Sequence, residues 1–221
     1  MLNTIDNHVT VSLNAKRTLA FGNTFSCATQ SLSEEKDSFS NSALSAKTAS
    51  LKPTHFSGKM NVGQIAPDFT LKNHRGEDVK LSQELKKGPV VLFFFPRNNT
   101  KFCTKQIQTF QKEYPKFKAL NATILGISSD SIKSQEQFIN EKIPEKKLPF
   151  ELLSDPKDKV RKQFDAQSWF GIPSRVTYVI NPVTKQVNTR YSSQAKIQMH
   201  MEKALEGLES LHKSGQDIPE S

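Results

Sequence analysis

Hydrophobic positions fall along this chain in two regimes. Up to about residue 59 they are scattered among Ser, Thr, Asn, Ala and Lys with no sustained period of two or 3.6, and no packed element is predicted there. From Met60 to about Lys213 strand-like runs alternate with stretches of helical spacing. Residues 68–72 and 78–81 flank His74-Arg75-Gly76 and predict a small hairpin, after which Ser82 is placed to cap a short helix over 83–86. Val90-Val91-Leu92-Phe93-Phe94-Phe95, ended by Pro96, is a continuous apolar run, the signature of a central strand buried on both faces.

Beyond the polar loop of residues 97–100, residues 102–119 place Ile107, Phe110, Tyr114 and Phe117 on one helical face, with Pro115 permitting a kink. Residues 122–128 predict another buried strand, 131–142 a helix, 150–153 a strand and 158–164 a helix. Residues 175–180 and 186–191 form a closing antiparallel hairpin around Asn181-Pro182. A last helix over 195–212 buries Ile197, Met201, Leu205, Leu208 and Leu211. Strands alternating with helices predict one α/β domain, a central sheet flanked by helices. Its expected span is residues 60–213, between a leader of residues 1–59 and a tail of residues 214–221.

Composition changes this picture mainly at the N-terminus. Over residues 1–33 Asp6 is the one acidic residue, against Lys16 and Arg17, while Ser and Thr recur throughout. That is the composition of a plastid or mitochondrial transit peptide, the few Arg and many hydroxyls favouring the plastid; an ordinary disordered tail is the alternative. Leu19-Ala20-Phe21 is too short an apolar patch for a secretory signal, and Phe25-Ser26-Cys27-Ala28 loosely resembles a plastid processing site. The longest apolar stretch, residues 89–96, is far short of the roughly 18 residues of a membrane helix, so no membrane insertion is expected. The net charge of +9 is dispersed, with Lys beside Asp or Glu at Lys112-Glu113, Glu141-Lys142 and Asp158-Lys159; no basic stripe points to nucleic acid.

The chain holds 2 cysteines, Cys27 and Cys103, too few for a disulfide scaffold and without metal-ligand spacing. Cys103 stands in the first turn of a helix that follows a strand and a tight loop. Orphan N–H groups and the helix dipole favour a thiolate there. Thr100 is near enough to share a hydrogen-bond network with the sulfur, and Pro96 would wall the pocket. An inert core cysteine is the competing reading on position alone. His8, His55, His74, His200 and His212 are expected at the surface, and Trp169-Phe170 over the core or the pocket rim.

The stretch Pro96-Arg97-Asn98-Asn99-Thr100-Lys101-Phe102-Cys103 resembles the peroxiredoxin active-site pattern: Pro, three residues, Thr or Ser, two residues, Cys. The resemblance covers residues 60–211 and is strongest to the peroxiredoxin Q, or bacterioferritin comigratory protein, branch. It is carried also by Gly63-Gln64-Ile65-Ala66-Pro67-Asp68-Phe69, Leu152-Leu153-Ser154-Asp155 and Arg175-Val176-Thr177-Tyr178. It implies a thioredoxin-like fold with a mixed sheet, and a thiol peroxidase acting on hydrogen peroxide and organic hydroperoxides. Cys103 would be the peroxidatic nucleophile that becomes a sulfenic acid. Thr100 would orient the peroxide, and Arg175 would hold the thiolate and the charge developing on the leaving oxygen. The Phe102 and Cys103 N–H groups would complete the donor cluster, placing Phe102 at the substrate. No metal or organic cofactor is implied, and relatives of this branch suggest a monomer.

Two positions depart from that pattern. Lys101-Phe102 stands where the branch carries Pro-Gly, and Gln108 where many members carry the resolving cysteine. The implied reductant is then an external thiol: thioredoxin, glutaredoxin or glutathione. Pairing of Cys103 between two chains, or with Cys27 across the leader, are the alternatives. A disulfide reductase would need a second cysteine at position 106, where Gln stands. A non-catalytic peroxide sensor or redox-dependent binding module on the same fold is the competing function.

Overall fold

The computed structural model describes residues 60–168 and 170–216; the expected leader, Cys27, Trp169 and most of the tail lie outside the described residues. In chain order the elements are β1 (Thr70–Asn73), β2 (Asp78–Lys80), α1 (Leu81–Glu84), β3 (Val90–Phe94), α2 (Lys101–Ala119), β4 (Thr123–Ser128), α3 (Ile132–Lys142), β5 (Glu151–Ser154), α4 (Lys159–Gln163), β6 (Val176–Ile180), β7 (Val187–Ser192) and α5 (Ile197–Lys213). No helix among the described residues is long and apolar enough to cross a membrane.

The strands form one mixed sheet in the order β2-β1-β5-β4-β3-β6-β7. The apolar run becomes β3, parallel to β4 and antiparallel to β6, and every one of its residues is buried. Alternation then divides the core into two layers. Val91, Phe93 and Phe95 pack with Cys103, Ile107, Phe110 and Phe117 of α2 and with Met201 and Leu208 of α5. Val90, Leu92 and Phe94 pack with Phe69, Phe164 and Tyr178. Phe93 stacks on Phe110 with centroids 4.5 Å apart. Gly126 of β4 makes room for this ring, since a Cβ there would meet Phe93 Cζ at 2.6 Å.

Four expectations are corrected. Ser82 does not cap α1: its N–H and hydroxyl both donate to the Asp68 carboxylate at 2.9 Å, and Lys80 occupies the N-cap without a side-chain bond. Phe170 covers nothing, being 85% exposed in a loop. His200 is fully buried rather than on the surface, because it lies on the same face of α5 as Ile197, Met201 and Ala204. His74 is half-buried beside Glu151, with Nδ1 3.5 Å from the carboxylate.

Candidate active site

The topology brings Cys103 and Arg175 together. β3 and β6 run antiparallel with Phe94 opposite Val176, so the residue preceding β6 meets the end of β3, where the chain turns into α2. Pro96 has no N–H, and the sheet pairing with β6 ends there. The loop beyond it is tied down by Asp130, which accepts Asn98 N and Ser128 Oγ, both at 2.8 Å. The Asn98 carbonyl accepts Thr100 N at 2.9 Å and Thr104 Oγ1 at 3.4 Å.

Thr100 is the N-cap of α2, its hydroxyl accepting Cys103 N at 3.3 Å. This bond stabilises the helix start by satisfying one of its orphan donors. The Cys103 N–H is engaged by this cap. The threonine O–H proton remains available as a donor. Phe102, next in the first turn, is 58% exposed, whereas Cys103 is 1% exposed. Cys103 is therefore recessed behind the cap, with an aromatic ring standing at the surface beside it.

Arg175 is buried at 3% exposure and reaches Cys103 Sγ with Nη2 at 3.4 Å. Its Nη1 donates to Gln106 Oε1, one turn along α2 from the cysteine. A buried guanidinium in this position can stabilise negative charge that develops next to it. Behind it, Ser192 Oγ and Ser193 N donate to the Arg175 carbonyl at 3.4 and 3.3 Å. Buried His200 presents Nε2 to the Ser193 carbonyl and Nδ1 to Thr177 Oγ1, both at 2.8 Å. A carbonyl only accepts, so Nε2 carries the proton and Thr177 donates to Nδ1. Burial, with the nearby Arg175 charge adding to it and the Ser193 bond opposing, brings the His200 pKa down to about 4. The ring is neutral at pH 7.

Sequence reasoning thus placed Pro96, Thr100, Cys103 and Arg175, and the structure brings all four to one end of β3. It assigned no role to Gln106 or Asp130. Gln106 carried a signal: it follows Cys103 by one turn, on the same face as Ile107 and Phe110, where a polar side chain calls for a buried partner. Gln108 is exposed on α2, its Nε2 donating to the Lys142 carbonyl at 3.2 Å.

The chain is similar to known proteins. The chain matches the AhpC/TSA family over residues 62–187. It is 39% identical over 174 residues to the protein named peroxiredoxin Q, chloroplastic, of Sedum lineare, spanning 77% of this chain and 89% of that one. With the protein of the same name in Arabidopsis thaliana it is 37% identical over 217 residues, spanning 94% and 96%. Among solved structures, peroxidoxin BcpB from Mycobacterium tuberculosis superposes with a TM-score of 0.62 at 33% identity, covering 69% of this chain and 98% of that one. A cysteine capped by Thr100 and held against Arg175, on a chain related along most of its length to these proteins, belongs to the AhpC/TSA family: the protein is a peroxiredoxin of the Q branch.

Proposed function

We propose that this peroxiredoxin reduces hydrogen peroxide and organic hydroperoxides through Cys103 and is recycled by an external thiol. The observation that carries this reading is Arg175 Nη2 standing 3.4 Å from a recessed Cys103 Sγ. The Cys103 thiolate attacks one peroxide oxygen as the O–O bond breaks, giving Cys–SOH and an alkoxide or hydroxide that takes up a proton and leaves. The Arg175 charge stabilises the oxygen on which negative charge develops, and the Thr100 O–H orients the peroxide. Pro96 walls the pocket, and Phe102 offers an apolar surface to the alkyl part of a hydroperoxide.

The second half of the cycle needs two equivalents of thiol. The first condenses with Cys–SOH to a mixed disulfide and releases water; the second displaces Cys103 and leaves the reductant as its disulfide. Thioredoxin, glutaredoxin and glutathione each supply this chemistry. Gln108 supports an external source, since the sequence offers Cys103 no cysteine partner except Cys27. The active form is a monomer. The relatives named chloroplastic and the acid-poor leader together support import into the plastid, residues 1–59 being the transit segment.

Stopped-flow oxidation by hydrogen peroxide tests the first half. The expected result is a rate far above that of free cysteine at the same pH; an equal rate would sink the peroxidase reading. Rapid oxidation without turnover on any of the three thiols would favour a peroxide sensor. Non-reducing electrophoresis after peroxide separates the routes of resolution: a Cys103–Cys103 bridge gives a dimer, and a Cys27–Cys103 bridge a cross-linked monomer lost in either Cys→Ser variant.

A further inference from the structure

Where β3 and β6 leave the sheet, the ladder between them stops at Phe94 and Val176. Just beyond it lie the carbonyls of Phe95, immediately before Pro96, and Ser174, immediately before Arg175. Among the described residues neither accepts a backbone N–H. Both accept the same side chain. Arg161 of α4, 1% exposed, donates Nη2 to Phe95 O at 2.7 Å and Nη1 to Ser174 O at 3.3 Å. Nη1 also lies 3.3 Å from Ala166 O, whose other donor is Ser174 N at 3.0 Å.

The guanidinium is itself fixed from behind. Nε donates to Asp158 Oδ1 at 2.9 Å, the plane lies over the Phe94 ring at 5.8 Å, and the Arg161 N–H donates to Asp155 Oδ2 at 2.9 Å. A planar fork with parallel donors is the side chain suited to bridging two carbonyls in one geometry, which a lysine ammonium is not. A buried ion this far from water carries a large desolvation penalty, and here it is set against the pairing of two carbonyls that an apolar side chain would leave without a donor. What it secures is the spacing between the two residues that follow its acceptors.

We propose that Arg161 is a positioning residue for peroxide reduction, tying the chain just after β3 to the segment just before β6 so that Arg175 is held against Cys103. The proposal rests on the roles given above to Cys103 and Arg175. Arg161 touches neither sulfur nor substrate. It acts through the backbone of Phe95 and Ser174, and its loss lets the Arg175 guanidinium drift from the sulfur while the rest of the site stays assembled.

The test is a double-mutant cycle on the second-order rate of Cys103 oxidation by hydrogen peroxide, measured where each variant is fully folded by circular dichroism. Arg161→Met in the wild-type background should slow oxidation roughly 10- to 100-fold, the range that small misplacements of a catalytic group cost. In an Arg175→Met background the same change should have no further effect, because the group it positions is gone. Arg161→Lys, which keeps the charge and can serve one carbonyl at a time, should recover part of the rate and covers the case in which Arg161→Met does not fold. Leu81→Ala, a core truncation outside the site, controls for lost stability and should oxidise at the wild-type rate. A folded Arg161→Met or Arg161→Lys at the wild-type rate overturns the proposal, as does a loss of equal size in the Arg175→Met background. Slow oxidation of the wild type would instead remove the peroxidase reading on which it rests.

Discussion

Gln106 Oε1 accepts a hydrogen bond from Arg175 Nη1 across 69 residues of chain, and the same guanidinium reaches Cys103 with its other terminal nitrogen. The neutral amide thus aims the cation without neutralising it. Gln106→Leu should leave Arg175 less constrained and slow Cys103 oxidation about tenfold, the equivalent of one hydrogen bond to a charged group. Gln106→Glu keeps the acceptor and should retain a rate within a few-fold of wild type, although its charge offsets part of the arginine's. Stopped-flow rates of the two variants check this.

Removing the guanidinium itself should cost more. Arg175→Met deletes the positive charge beside the sulfur and is expected to lower the oxidation rate about 10²- to 10³-fold, the usual loss for one preorganised electrostatic donor. Stopped-flow oxidation rates of both proteins at the same pH are the measurement.

Thr100 caps α2 with the same hydroxyl that is proposed to orient the peroxide. Thr100→Val removes the cap acceptor of α2 and should cost about 1 kcal/mol of stability, together with a fall in peroxidase rate. Thr100→Ser keeps the hydroxyl and should preserve both. Chemical denaturation run in parallel with the kinetics separates the two losses.

The buried His200 makes stability dependent on pH in the acid range. Its pKa is about 4 in the folded protein against 6.5 for an ordinary histidine, so between those values the unfolded chain binds a proton that the folded one does not. Stability is therefore full above pH 6.5 and falls as the pH drops toward 4, by on the order of 3 kcal/mol from this residue. His200→Gln should flatten that part of the profile of thermal midpoint against pH, and an unchanged slope would contradict it.

Phe102 stands 58% exposed beside the recessed Cys103. Phe102→Ala should raise KM several-fold for an aromatic hydroperoxide such as cumene hydroperoxide and leave that for hydrogen peroxide unchanged. Its effect on thermal stability should be small, because the ring buries little surface. Steady-state kinetics with the two substrates check the difference.

The patterns of burial were legible in the sequence because each is local. The unbroken run of residues 90–95 admits only a strand covered on both faces, and the period of Ile107, Phe110 and Phe117 predicts the inner face of α2. The motif from Pro96 to Cys103 announced the site for the same reason. Pairings between distant elements were not legible. Arg161 reads as one more charge in a basic stretch, and only the packing of α4 against the end of β3 turns it inward. His200 was misjudged for a different cause: its charge suggested the surface, whereas its spacing from Ile197 and Ala204 already put it inside. Ser82 looked like a cap, but Asp68 offered its hydroxyl and N–H a stronger acceptor.

The Gln108 bond to Lys142 bears on how much the enzyme must move. A disulfide joins α-carbons no more than about 6.8 Å apart, while positions five apart on a helix are separated by roughly 7.5 Å along its axis alone. A cysteine at position 108 would have to unwind the start of α2 in every turnover to reach Cys103. Glutamine at that position removes that demand on the first turns of α2. If an external thiol closes the cycle, as proposed, no unwinding is needed to bring two cysteines of α2 together.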